Sequence, residues 1–174
     1  MPVLRHRVRA EGWRKSPLAL SIPGRRMNSP KAPPATLATP EEAEQQFYEA
    51  LQHGELERLM AVWGDDDEIS CVHPGGHRMV GAAAIRASFE TIFALGVIDV
   101  RPEKVSRLQT MFSAVHSVVE RVQMPMETGM QCNWVVATNV YLKTPLGWRL
   151  VAHHASPGSS HEAQEMLESA TVLH

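Results

Sequence analysis

Apolar residues recur at helical spacing early in the chain and at strand spacing late in it. Ala43, Phe47, Ala50 and Leu51 lie three or four positions apart, which predicts an amphipathic helix opening at Thr39 and closing at Gly54. Thr39-Pro40-Glu41-Glu42 supplies a capping hydroxyl, a proline at the first helical position and carboxylates where the helix dipole favours them. A second helix is predicted from Glu55 to Trp63 on the stripe Leu56, Leu59, Met60 and Trp63, and a third over Ala82–Leu95 on Ile85, Phe89, Ile92 and Phe93. Between them, Ile69–His73 reads as a short strand stopped by Pro74-Gly75-Gly76, with His77–Val80 returning. Asp65-Asp66-Asp67-Glu68 reads as a solvated turn. After Gly96, the stretches Val97–Leu108, Met111–Val122, Met130–Leu142 and Trp148–Ala155 are Val-rich with period-two alternation, the signature of strands. A last polar helix is expected over His161–Ser169.

Helices first and a run of strands afterwards predicts an α+β fold: a curved antiparallel sheet, a cone-shaped half barrel, wrapped around three N-terminal helices. Trp134-Val135-Val136-Ala137 and Leu150-Val151-Ala152 are apolar in both alternation sets, so the sheet has two faces to cover and helices for one. The outer face is therefore expected to pair with a second copy as a twofold homodimer.

Charge divides the chain. Residues 1–38 carry eight basic side chains against Glu11 alone, leaving nine of the 17 basic and 18 of the 19 acidic side chains for the remainder. The expected organisation is a disordered, Pro-rich basic tail over 1–38, one domain over 39–157, and a polar helix or tail over 158–174; Met27 offers a later start. An acidic folded part excludes a nucleic-acid partner, because phosphate contacts need clustered Lys and Arg. No apolar run reaches the roughly 20 residues of a membrane helix. The expectation is a soluble, cytoplasmic protein with no membrane partner. Cys71 and Cys132 alone build neither a disulfide framework nor a thiolate zinc site.

Several local motifs, taken in order, resemble a known family. They are Phe47-Tyr48, Gly54-Glu55-Leu56-Glu57 and Trp63; Val72-His73-Pro74-Gly75-Gly76, Val80-Gly81 and Ala84-Ile85; and Gly147 through Ser156. Together they resemble the SnoaL-like branch of the nuclear transport factor 2-like superfamily, which includes ketosteroid isomerases and polyketide cyclases and has a cystatin-like fold. The resemblance implies an apolar pocket with a base at the end of the first strand, where this chain has His73 before Pro74. It implies an oxyanion-binding tyrosine on the first helix, where this chain has Phe47, with Tyr48 one residue on and about 100° round the helix. It implies a partner acid on the penultimate strand, where this chain has Thr138. It also favours the face of Arg149, Val151, His153 and Ala155 as the inner one, leaving His154 outside.

The expected pocket wall is Phe47, Trp63, Cys71, Phe89, Phe93, Trp134, Val136 and Val151. A histidine serves as a base at neutral pH because its ordinary pKa lies near 6.5. Strand alternation groups His73 with Ile69 and Cys71, an apolar set whose burial keeps the imidazole neutral. The expected function is a small-molecule pocket protein acting as an isomerase, cyclase or dehydratase. In it His73 moves a proton on an apolar carbonyl compound while His153 or Thr138 steadies charge. The alternative is a non-catalytic ligand-binding or dimerisation module on the same fold. No cofactor is expected, and no metal, because His73, His77 and His153 match no standard zinc spacing.

Overall fold

The structure, a computed structural model, describes residues 36–126, 129–159 and 161–162. The expected basic tail falls outside these except for Thr36–Ala38, and the expected last helix except for its first two residues. Helix α1 spans Pro40–His53, with the Thr39 hydroxyl accepting the Glu42 amide at 3.1 Å and Gly54 closing it at φ 67°. Helices α2 (Leu56–Met60) and α3 (Ala82–Ala94) follow the expected stripes, α2 ending three residues short of Trp63. The strands are β1 (Ser70–Val72), β2 (Arg78–Val80), β3 (Asp99–Gln109), β4 (Ser113–Met126), β5 (Gly129–Thr144) and β6 (Gly147–Pro157). Met111 and Phe112 belong to the β3–β4 turn instead of a strand, because the Thr110 hydroxyl accepts the amides of Phe112 and Ser113.

All six strands form one open sheet in the order β2-β1-β6-β5-β4-β3. The expected antiparallel sheet is mixed: β1 lies parallel to β6, and the other four pairings are antiparallel. A parallel neighbour requires a long crossover, here everything from β2 to β5, and alternation within a strand does not encode which neighbour it finds. Register shifts at Pro102/Lys104 and Val140/Tyr141 bend the long strands.

Order starts ahead of Thr39. Leu37 is 4% exposed, its carbonyl accepts the Trp148 amide at 2.8 Å, and it bridges to Gly147. Gly147 sits at φ 99°, and a Cβ there would come within 2.4 Å of the Leu37 carbonyl oxygen, so the close approach requires glycine. The core lies between the helices and the inner sheet face. Phe47, Leu51, Leu59, Trp63, Ile69, Cys71, Ile85 and Phe89 meet Val118, Ala137, Tyr141 and Leu150 there. No helix among the described residues is long and apolar enough to cross a membrane. Asp65–Glu68 form an exposed turn in which an Asp66 carboxylate oxygen accepts the Glu68 amide.

Candidate active site

The inner face of the sheet does not close completely against α1 and α3. A cavity of about 690 Å³ remains there, within the range of small-molecule sites. Phe47 and Leu51 of α1, Phe89 and Ile92 of α3, and Trp134, Val135 and Ala155 of the sheet make its wall apolar. Its polar lining includes His73, Glu120, Asn133 and His153, and among the described residues it contains no Lys or Arg.

His73 follows β1 directly, so the strand end and the Pro74-Gly75-Gly76 turn set it at the cavity. Ile69 and Cys71, four and two residues before it, are buried on the same face. Its Nε2 lies 2.6 Å from the Ser88 hydroxyl of α3, and its ring meets Phe89 edge-on at 5.0 Å. Burial, and then the charge of His77, hold its pKa below the usual 6.5. Phe89 is in turn edge-on to Phe47 at 6.5 Å, and Phe47 touches the His153 ring at 5.3 Å. One aromatic wall thus joins the two imidazoles.

His153 is the inward histidine of the pair, and His154 is exposed. The shift at Val140/Tyr141 decides this. Tyr141 pairs with Leu150 and Val140 with Ala152, which leaves Val151 unpaired and puts both Leu150 and His153 inside. His153 Nδ1 lies 2.7 Å from the Asn139 Oδ1. Burial first, then the His73 and His154 imidazoles, push its pKa down to about 3.

Of the expected wall, Phe47, Phe89 and Trp134 line the cavity with His73 and His153. Trp63 and Cys71 are buried behind it, and Phe93 packs on Phe89 at 6.0 Å without lining it. Val136 alternates with the inward Val135 and Ala137 and so belongs to the outer face. Val151 packs beside Gly64. Thr138 is exposed on the outer face opposite His154, one residue from the inward Asn139, so it stands apart from the cavity.

Two buried groups at this site escape sequence reasoning. Tyr48 is 3% exposed, not turned away, because α1 is enclosed over a wide arc that takes in both Phe47 and Tyr48. Its hydroxyl lies 2.8 Å from Glu120 Oε1 and 3.3 Å from Asn139 Nδ2. Glu120, 4% exposed, reaches the cavity from β4, and burial raises its pKa to about 7 against the lowering effect of the Tyr48 hydrogen bond. The available signal is its place in the alternation set His116, Val118, Glu120, Val122, a lone acid among inward positions. A second charged cluster lies away from the cavity: the buried Glu44 meets the buried His116 at 2.5 Å and the exposed Arg107 at 2.7 Å. Burial works to raise the Glu44 pKa, but these two partners hold it below its usual value.

Comparison with curated proteins finds no match. Among solved structures, a Thiobacillus denitrificans protein provisionally described as a calcium/calmodulin-dependent protein kinase type II association domain is 35% identical. It superposes with a TM-score of 0.66 over 72% of this chain and 99% of its own. A Streptomyces avermitilis protein of the nuclear transport factor 2-like family, provisionally described as a dehydratase, is 31% identical, with a TM-score of 0.60 over 67% of this chain and 91% of its own. A Caulobacter vibrioides protein with a cystatin-like fold is 14% identical and shares the fold, with a TM-score of 0.61 over 72% of this chain and 91% of its own. The family model of the SnoaL-like domain matches residues 41–160. With its cystatin-like architecture and that match, the chain belongs to the SnoaL-like domain family.

Proposed function

We propose that the chain binds a small apolar, carbonyl-bearing molecule in this cavity and moves a proton on it, as isomerases, cyclases and dehydratases do. His73 is the base. The observation that carries the reading is the state of that histidine: at an apolar cavity, fixed at Nε2 by Ser88, and kept neutral near pH 7 by burial. With Nε2–H donating to the serine hydroxyl, Nδ1 keeps the lone pair that accepts a proton. His153, at the opposite end of the aromatic wall, is a second polar group that faces the ligand. The 31%-identical relative provisionally described as a dehydratase supports the same chemistry, since dehydration next to a carbonyl begins with loss of the adjacent proton.

2-Tetralone, an apolar ketone with acidic α-hydrogens, tests this in deuterated buffer. The wild type should accelerate deuterium uptake at the α-carbon, and His73→Ala should lose about 100-fold of that rate. His73→Gln should keep 2-tetralone binding. An alanine variant that exchanges at the wild-type rate would refute the reading.

A second reading, an assembly module, is favoured by the 35%-identical relative provisionally described as an association domain. Val115, Val119, Val136 and Val140 are half-buried on the outer sheet face and would be covered by a twofold partner. A monomer in sedimentation at tens of micromolar would remove it.

A further inference from the structure

Glu120 stands apart from the His73–Ser88 pair, yet its carboxyl is buried at the cavity and has one oxygen engaged by the Tyr48 hydroxyl. The Tyr48 phenol is held protonated by burial and by the Glu120 charge, so its hydroxyl donates to Glu120 Oε1. The phenol oxygen then accepts from Asn139 Nδ2, and Asn139 Oδ1 accepts from Nδ1 of a neutral His153. Each donor in this chain has one acceptor, and the phenol fixes the direction. His153 is therefore protonated on Nδ1, and its Nε2 bears the lone pair. Glu120 Oε2 takes no part in the chain. The two ends of the relay, Glu120 and His153, line the cavity, while Tyr48 and Asn139 stand behind the wall.

Among the described residues, the surroundings of Glu120 offer no compensating charge. α1 brings Tyr48, β5 brings Tyr141, whose hydroxyl is pushed up by burial first and only in small part by Glu120, β3 places Pro102 opposite, and β6 contributes His153 through Asn139. We infer that Glu120 and His153 form a second polar subsite that selects an uncharged apolar ligand bearing a hydroxyl or carbonyl oxygen. The Glu120 carboxyl donates to that oxygen, and His153 Nε2 accepts from a ligand hydroxyl. The inference rests on the cavity being a ligand site, not on His73 being a base. A carboxylate or phosphate ligand meets no cation here and is repelled once Glu120 ionises.

Two measurements on the full chain decide it. Carbon-13 NMR of the wild-type Glu120 carboxyl should titrate near 7; a midpoint near the ordinary 4.5 overturns the proposal. Calorimetry with 2-naphthol and 2-naphthoate, equal in size and different in charge, should show naphthoate losing about tenfold or more in affinity from about pH 5.5 to about pH 8.5. Glu120→Gln should abolish that loss, and neutral 2-naphthol should outbind naphthoate at the higher pH in the wild type. Equal wild-type affinities at high pH, or the same naphthoate profile in Glu120→Gln, overturn the proposal. Failure of both probes to bind at about 1 mM, a limit of about 4 kcal/mol, overturns the ligand-site reading beneath it, and the carboxyl titration still decides the protonation of Glu120 independently.

Discussion

Replacing Glu120 with glutamine should make the protein more stable, and only at neutral to alkaline pH. In the folded chain burial lifts this carboxyl from 4.5 to about 7. At pH values below the ordinary 4.5, both folded and unfolded chains hold the proton and Glu120 costs nothing. Between the two values the unfolded chain releases its proton first, so stability falls as pH rises; above about 7 the full penalty stands. At about 1.4 kcal/mol for each tenfold change in proton affinity, the gap corresponds to about 3 kcal/mol. Glutamine is nearly isosteric, stays uncharged, and keeps an oxygen to accept the Tyr48 hydroxyl. Urea denaturation of wild type and Glu120→Gln at about pH 5 and about pH 8.5 reads the effect as a difference of differences, in which the other titrating groups cancel. The variant should gain about 2.5 kcal/mol over wild type at the higher pH relative to the lower, because at about pH 5 the unfolded carboxyl has already begun to ionise. A stability difference that is the same at both pH values would mean that Glu120 ionises in the fold as easily as in water.

His153 carries the opposite slope. Its folded imidazole stays neutral down to about 3 while the unfolded one takes a proton near 6.5, so stability drops as pH falls below 6.5. Relative to His153→Gln, wild type should lose about 2.5 kcal/mol between about pH 7 and about pH 4.5 in the same denaturation assay. Gly147→Ala should cost about 1–3 kcal/mol by thermal denaturation, since the residue is at positive φ and its new methyl meets the Leu37 backbone. Deleting residues 1–38 should be about 1.5–3 kcal/mol more destabilising than deleting 1–35, because only the longer cut removes the buried Leu37 side chain. Equal stability of the two truncations would show that Leu37 adds nothing.

The legible part of this fold is the part written in periodicity. The stripe Ala43–Leu51 with its Thr39 cap, the Ile85–Phe93 stripe, and the Val-rich late segments set the kind and order of the elements because each pattern is local. Neighbour order is not local: that β1 lies parallel to β6 follows from packing of the finished sheet. The site divides in the same way. His73 is legible because Ile69, Cys71 and His73 share one strand face and Pro74 ends it. Thr138 is misplaced by one residue of register, which in a strand is the difference between cavity and outer face. Val151 is misplaced because a register shift, invisible in the pattern, resets the alternation at Leu150. Glu120 and Tyr48 stay hidden because an acid on a strand and a tyrosine beside a phenylalanine read as surface and helix edge. Their contact spans 72 positions in the chain.

Whether this cavity is a working acid–base site with His73 as its base is decided by the pH-rate profile of deuterium exchange into 2-tetralone. The expected profile is a bell. Its acid limb has a midpoint below 6.5, as His73 loses its proton, and its alkaline limb sets in near 7, as Glu120 ionises and its donor is lost. Glu120→Gln should remove the alkaline limb, and His73→Ala should flatten the profile to the buffer rate. Exchange by His73→Ala at the wild-type rate across the whole pH range would contradict the assignment of His73 as the base.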